Sequence, residues 1–130
     1  MATPKLRRSK KTRKNIPEVN IFVTATLNNT HVVVASLDGQ VLTWATGGSS
    51  GFKGAREATP YAAQITSENA VGKAKTLHNV EKANVYVKGI GAGREQAVRG
   101  IAIAGVDINA IFDITPVPHN GCRKPKARKL

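Results

Sequence analysis

The chain has 130 residues, 41% of them apolar, and a net charge of +12 from 20 Lys and Arg against 8 Asp and Glu. That length suits one domain with a real core, and no run approaches the ~20 apolar residues of a membrane span. A balance this lopsided repels itself unless a polyanion neutralises it, so it bears on partners rather than on fold.

The charge opens the chain. Residues 1–16 carry Lys5, Arg7, Arg8, Lys10, Lys11, Arg13 and Lys14 and no acid. Dense like-charge runs stay disordered in isolation and act as interaction arms. Leu6 and Ile16 are the only large apolar groups after Met1, too few for an amphipathic membrane-surface helix. The apolar segment of a secretory signal is missing. The arm is Arg-rich and acid-free like an organelle transit peptide, but poor in Ser and without clear amphipathic spacing. Residues 119–130 repeat the pattern with Arg123, Lys124, Lys126, Arg128 and Lys129 and no acid. Between them, residues 17–118 hold the remaining eight cations and all eight acids, Glu18, Asp38, Glu57, Glu68, Glu81, Glu95, Asp107 and Asp113. The expected organisation is a basic arm (1–16), one neutral α/β domain (17–118) and a basic tail (119–130). Nucleic acid is the partner this distribution points to.

The domain begins with Val19–Leu27, whose Val, Ile, Phe and Thr content predicts a strand. Asn28-Asn29 offers a tight turn, because Asn tolerates positive φ. His31–Leu37 reads as a second strand, Asp38-Gly39 as a hairpin turn and Gln40–Thr46 as a third strand. Gly47-Gly48-Ser49-Ser50-Gly51-Phe52-Lys53-Gly54 reads as an exposed loop. Thr59-Pro60 then has the form of an N-cap followed by proline at the first helical position, and a helix is predicted over 60–77. Its small-residue row, Ala58, Ala62, Thr66, Ala70, Ala74 and Leu77, would let it lie close to a sheet. Ala83–Lys88 is a fourth strand, Arg94–Ala104 a second helix stopped by Gly105, and Ile108–Thr115 a fifth strand with Ile108, Ala110, Phe112 and Ile114 alternating. The order βββαβαβ implies a mixed sheet, because strand–helix–strand crossovers pair strands in parallel.

Few residues suggest chemistry. Gly89-Ile90-Gly91-Ala92-Gly93 joins a strand to a helix, where backbone amides can cradle an anion. The sixth position from Gly89 is Arg94, so the dinucleotide fingerprint is not met, and no Walker lysine follows. A backbone phosphate at Gly91 and Arg94 is one reading of the loop; a turn that uses glycine only for geometry is the other. In the 47–54 loop, small residues permit close backbone approach, and Phe52, Lys53 and Arg56 supply a ring and two cations suited to RNA. Phe52 packed into the core is the alternative. Nuclease chemistry on a ribonuclease-H-like fold needs clustered carboxylates, and the first strand has none. His31, His78 and His119 lack metal-ligand spacing. Cys122 is the sole cysteine, which excludes an internal disulfide and fits a reducing compartment.

The C-terminal block is specific. Asp113-Ile114-Thr115-Pro116-Val117-Pro118-His119-Asn120-Gly121-Cys122-Arg123 resembles the signature of the small-subunit ribosomal protein number eleven family, in its universal, bacterial-type form. Leu27-Asn28-Asn29-Thr30, Trp44-Ala45-Thr46, Gly51-Phe52-Lys53-Gly54, Thr59-Pro60-Tyr61-Ala62-Ala63-Gln64 and Gly93-Arg94-Glu95 agree with it in order. The resemblance implies a ribonuclease-H-like fold without catalysis or cofactor. It implies binding to small-subunit ribosomal RNA on the platform near the messenger exit path, on a bacterial cytoplasmic or an organellar ribosome. Neighbouring small-subunit proteins are implied as partners, with messenger RNA nearby and no membrane. By position it places Asn28, Asn29, Phe52, Lys53, Gly54, Arg56, Gly91, Arg94, His119, Asn120, Gly121, Arg123 and Lys124 near RNA, beside the tail cations Lys126, Arg128 and Lys129 and the N-terminal arm. Two positions depart from the family: Ile90 stands where it usually has proline, and Ala127 replaces a cation of the tail. Asn120-Gly121 is also an isoaspartate candidate, since glycine does not hinder attack of its amide nitrogen on the Asn side chain.

Overall fold

The computed structural model describes residues 15–129; Lys5, Arg7, Arg8, Lys10, Lys11, Arg13 and Lys14 lie outside the described residues. Five strands and two helices follow the expected order: β1 (Glu18–Ala25), β2 (Thr30–Ser36), β3 (Val41–Thr46), α1 (Pro60–His78), β4 (Lys82–Lys88), α2 (Arg94–Ile103) and β5 (Asp107–Asp113). The glycine loop after β3 also holds a short 3-10 turn, Gly54–Ala58, which takes Ala58 out of the α1 row. The sheet order is β3-β2-β1-β4-β5. Short turns make β1/β2 and β2/β3 antiparallel, and the helical crossovers make β1/β4 and β4/β5 parallel, as connection length requires.

Local signals explain most boundaries. Thr59 Oγ1 accepts from the Ala62 amide at 3.3 Å and Pro60 opens α1. Asn79 ends α1 in the left-handed region at φ 52. Gly105 follows α2 at φ +91, a conformation glycine adopts without Cβ strain. The β1–β2 turn differs from expectation. Neither Asn28 nor Asn29 has positive φ. The Thr26 amide donates to the Asn29 carbonyl at 2.9 Å, and Thr26 Oγ1 accepts from both Asn amides. A threonine hydroxyl therefore closes this turn, and β1 ends two residues earlier than read.

Both helices cover one face of the sheet and touch each other. Val19, Ile21 and Val23 of β1, Val32 and Val34 of β2, and Ala83 and Val85 of β4 are fully buried beneath them. Burying a Val or Ile side chain is worth about 1.5–3 kcal/mol each. The small side chains of α1, including Ala62, Thr66, Ala70 and Ala74, are buried as the spacing predicted, whereas Leu77 at the end of the row is exposed. They bring α1 close enough for Thr43 Oγ1 to donate to the Ala70 carbonyl at 2.9 Å. At the α1–α2 crossing, a Cβ on Gly100 would come within 2.7 Å of the Gln64 carbonyl.

The other face carries no helix. Register places Trp44, Val33, Phe22, Tyr86 and Phe112 in one row across all five strands. Phe112 reaches this row through an irregularity in the β4–β5 pairing. Ile108 pairs with Ala83 on the helix side, the register then shifts by one, and Ala110 and Phe112 pair with Asn84 and Tyr86 on the open side. The even alternation from Ile108 to Ile114 therefore breaks at a bulge, which puts Ile108 and Phe112 on opposite faces.

Candidate nucleic-acid interface

Register also fixes which loops share an end of the sheet. Ala25 pairs with Thr30, Thr24 with Lys88, Val87 with Asp113 and His31 with Thr46. The turn at 26–29, the loop at 47–59, the loop at 89–93 and the segment after Asp113 therefore all leave from one edge. This is the carboxyl end of the three parallel strands, where open α/β sheets bind ligands. It gathers Asn28, Asn29, Phe52, Lys53, Gly54, Arg56, Gly91 and Arg94, which the sequence scatters over 67 positions. Both helices begin at this end, so both dipoles present their positive poles to it. The opposite end holds Glu18, Asp38, Glu81 and Asp107 with Lys75 and Lys82. The loop end carries Lys53, Arg56, Lys88 and Arg94 against Glu57, Glu95 and Asp113, so the acidic excess of the residues between the arm and the tail lies at the other end.

Hydrogen bonds lock the loops together. Asn29 Oδ1 accepts from the Thr30 amide at 2.7 Å and from the Gly47 amide at 3.1 Å, joining the first turn to the glycine loop. The Gly91 amide donates to the Ala25 carbonyl at 3.0 Å. A Cβ on Gly91 would lie 2.3 Å from the Thr26 carbonyl oxygen, and one on Gly89, at φ +104, would lie 2.1 Å from that of Ala25. These glycines are required by close backbone approach, the geometric alternative for this loop. The approach packs the 89–93 loop directly against the 26–29 turn.

Arg94 is held from two sides. Its Nη1 donates to the Gly89 carbonyl at 2.8 Å and its Nη2 to Asp113 Oδ2 at 2.6 Å. Thr115 Oγ1 and the Thr115 amide donate to the other carboxylate oxygen at 2.6 and 3.0 Å, and the Gly89 amide donates to Thr115 Oγ1 at 3.1 Å. The Thr115 hydroxyl foremost, then Arg94 and the Thr115 amide, hold the Asp113 carboxyl well below the usual carboxylate range. This ring clamps the root of the tail to the head of α2. Sequence reasoning missed Asp113 and Thr115 as its partners; the signal present was Asp-x-Thr at a strand end, a common side-chain turn pattern.

Phe52 is half-buried and meets Tyr61 edge-on at 5.9 Å, so it takes an intermediate position between core and surface. Lys53, Gly54 and Arg56 are exposed beside it. Lys88, a further exposed cation at this end, went unremarked in the sequence. His119, Asn120, Gly121, Arg123, Lys124, Lys126, Arg128 and Lys129 are exposed along the tail, with Asn120 at φ 66. Among the described residues no group of three or more His, Cys, Asp or Glu gathers as a metal site, and no helix is long and apolar enough to cross a membrane. The arrangement offers two helix N-termini, a rigid loop cluster and a cationic tail leaving from the edge strand β5, a combination that suits a phosphodiester backbone.

Comparison with known proteins identifies a family. Residues 19–129 match the family described as ribosomal protein S11. The chain is 49% identical over 121 residues to small ribosomal subunit protein uS11 of Borreliella burgdorferi (strain ZS7), covering 93% of this chain and 92% of that protein. The uS11 proteins of Borreliella afzelii (strain PKo) and Borrelia garinii subsp. bavariensis are similar to the same extent.

Proposed function

The chain belongs to the ribosomal protein S11 family, and on that premise we propose that it is a structural, RNA-binding constituent of the small ribosomal subunit. The convergence of the 26–29, 47–59 and 89–93 loops with the root of the basic tail at one end of the sheet carries this reading. That end meets small-subunit ribosomal RNA on the platform, close to the messenger exit path, in a bacterial-type ribosome. Phosphates lie against Lys53 and Arg56 and at the N-terminal ends of the two helices, while Arg94 chiefly shapes the loop beside them. The basic arm (1–16) and tail (119–130) work as extensions of one domain (17–118). Ile16 is held at the opposite end of the domain, its amide donating to the carbonyl of His78, the last residue of α1, at 2.9 Å.

The fold is read as ribonuclease-H-like, on the antiparallel meander followed by two parallel crossovers. It acts without catalysis. Asp107 and Asp113 stand at opposite ends of β5, roughly 20 Å apart at the rise of an extended strand, too far to share a reacting centre. Co-sedimentation tests the assignment. The full chain travels with small subunits through a gradient under associating salt; free migration refutes it. Magnesium-dependent cleavage of an RNA–DNA hybrid would restore a nuclease reading.

A further inference from the structure

We propose that the helix-free face of the sheet is a second interface, and that it takes an apolar ridge of a neighbouring small-subunit protein ending in an acidic side chain. The inference rests on the assignment of the chain to the small subunit and adds a surface, a partner class and an orientation to it.

The face is apolar where solvent would ordinarily favour polar residues. Trp44, Phe22 and Phe112 are 55%, 36% and 46% exposed. Phe22 stacks on Tyr86 with ring centroids 5.1 Å apart, and Tyr86 on Phe112 at the same separation. A contiguous exposed patch of this kind marks an interaction site rather than scattered surface residues.

Ring orientation chooses between RNA and protein. The interplanar angles are 17° and 21°, so the three rings lie face to face across neighbouring strands. A nucleobase binds by stacking on an open ring face. Here both faces of Tyr86 are occupied by Phe22 and Phe112, so the central ring offers only its edge, and Trp44 meets His31 edge-on at 6.3 Å. Ring edges and the flanking Val33 suit aliphatic or aromatic side chains. Charge points the same way. Lys82 has Glu18 and Asp107 in register on either side, which leaves the lower part of the face without the cation density RNA needs. Lys88 stands at the other margin, in register with the neutral Thr24, and no ion pair engages it among the described residues. A carboxylate on the partner complements it.

Area excludes a free-standing pair. Five strands at about 4.8 Å spacing make a face on the order of 500 Å². Stable stand-alone interfaces bury about 800 Å² per partner. The contact therefore serves inside an assembly already held by RNA, where tethering raises effective concentration, and a self-pair in solution is disfavoured.

Two cross-linking measurements on assembled small subunits test this. Full-length chain carrying Tyr86→p-benzoylphenylalanine is incorporated and irradiated, with Arg56→p-benzoylphenylalanine as the loop-end comparison. The expected adduct at 86 is a different protein of the subunit, and at 56 it is RNA. Adding Lys88→Glu lowers the yield at 86 by about tenfold, as a like charge replaces an attractive one. Unsubstituted subunits treated with a zero-length carbodiimide join Lys88 to an Asp or Glu of that same protein, which keeps the test independent of whether the variants fold. RNA, a second copy of this chain or no adduct at position 86 overturns the proposal, as does failure of Lys88 to join another protein. Absence of the unsubstituted chain from small subunits defeats the functional assignment and this proposal with it, whereas incorporation with a bare sheet face defeats the proposal alone.

Discussion

Arg94 and Asp113, 19 positions apart, meet at 2.6 Å, and the same guanidinium reaches the Gly89 carbonyl at 2.8 Å. One side chain thus fixes the head of α2, the glycine loop before it and the end of β5 from which the basic tail departs. Arg94 is consequently a shaping residue first and a phosphate ligand second. Replacing it with Ala should weaken RNA binding while the core stays folded. Amide exchange at Gly89 and Thr115 should quicken, and the thermal midpoint should barely move, because exposed ion pairs contribute little to global stability. Global unfolding of Arg94→Ala, seen by circular dichroism, would contradict this.

The clamp sets a pH dependence. The Asp113 carboxyl is depressed in the folded chain. Its contribution is fully present above the unfolded carboxylate value of about 3.9 and is lost as pH falls through the lower folded-state value. The loop cluster should stay closed from neutral pH down to about pH 4, with exchange at Gly89 unchanged apart from the intrinsic rate. Opening between pH 7 and 5 would show that the clamp is not the fastener.

One substitution should change stability in opposite directions in the two helices. Gly72 in α1 has open space where a Cβ would go, so Gly72→Ala should stabilise by about 0.5–1 kcal/mol. Gly100 in α2 faces the Gln64 carbonyl at 2.7 Å and the Ser67 side chain at 3.0 Å. Gly100→Ala should therefore destabilise by roughly 1–3 kcal/mol through overpacking. Urea unfolding of both variants measures the sign directly.

The tail should report itself through salt. Each phosphate contact contributes about 0.7–0.9 to the slope of log affinity against log salt. Changing Arg123, Lys124, Lys126, Arg128 and Lys129 to Gln should flatten that slope by up to about 4. An unchanged slope on small-subunit ribosomal RNA would remove the tail from the interface.

Asn120 is exposed and holds φ 66 next to Gly121, so nothing in the fold shields its side chain from the following amide. Aged protein should accumulate isoaspartate at 120, read by peptide mapping, and Asn120→Gln should abolish it.

Much of this molecule was legible because its signals are local. Thr59-Pro60, Asp38-Gly39, Gly105 and the strand compositions each act within a few residues, so element order and most boundaries could be read directly. What could not be read is long-range. Asn29 was singled out as an RNA contact, yet its Oδ1 holds the Gly47 amide 18 positions away. Arg94 looked free because Asp113 lies beyond a whole helix. The row Trp44–Val33–Phe22–Tyr86–Phe112 depends on the register of four strand pairs and on a bulge beside Asn109, and no single strand encodes it. The Gly89–Gly93 loop failed every nucleotide fingerprint; Gly89 and Gly91 instead fit against the carbonyls of Ala25 and Thr26, and Gly93 against Ala63 and Thr30.

A density map of the small subunit carrying this chain tests the central claim most directly. The end of the sheet bearing Asn28, Lys53, Gly91 and the segment after Thr115 should pack against ribosomal RNA, with the tail cations following its backbone. A chain seated with that end in solvent, or a subunit without the chain, would contradict it.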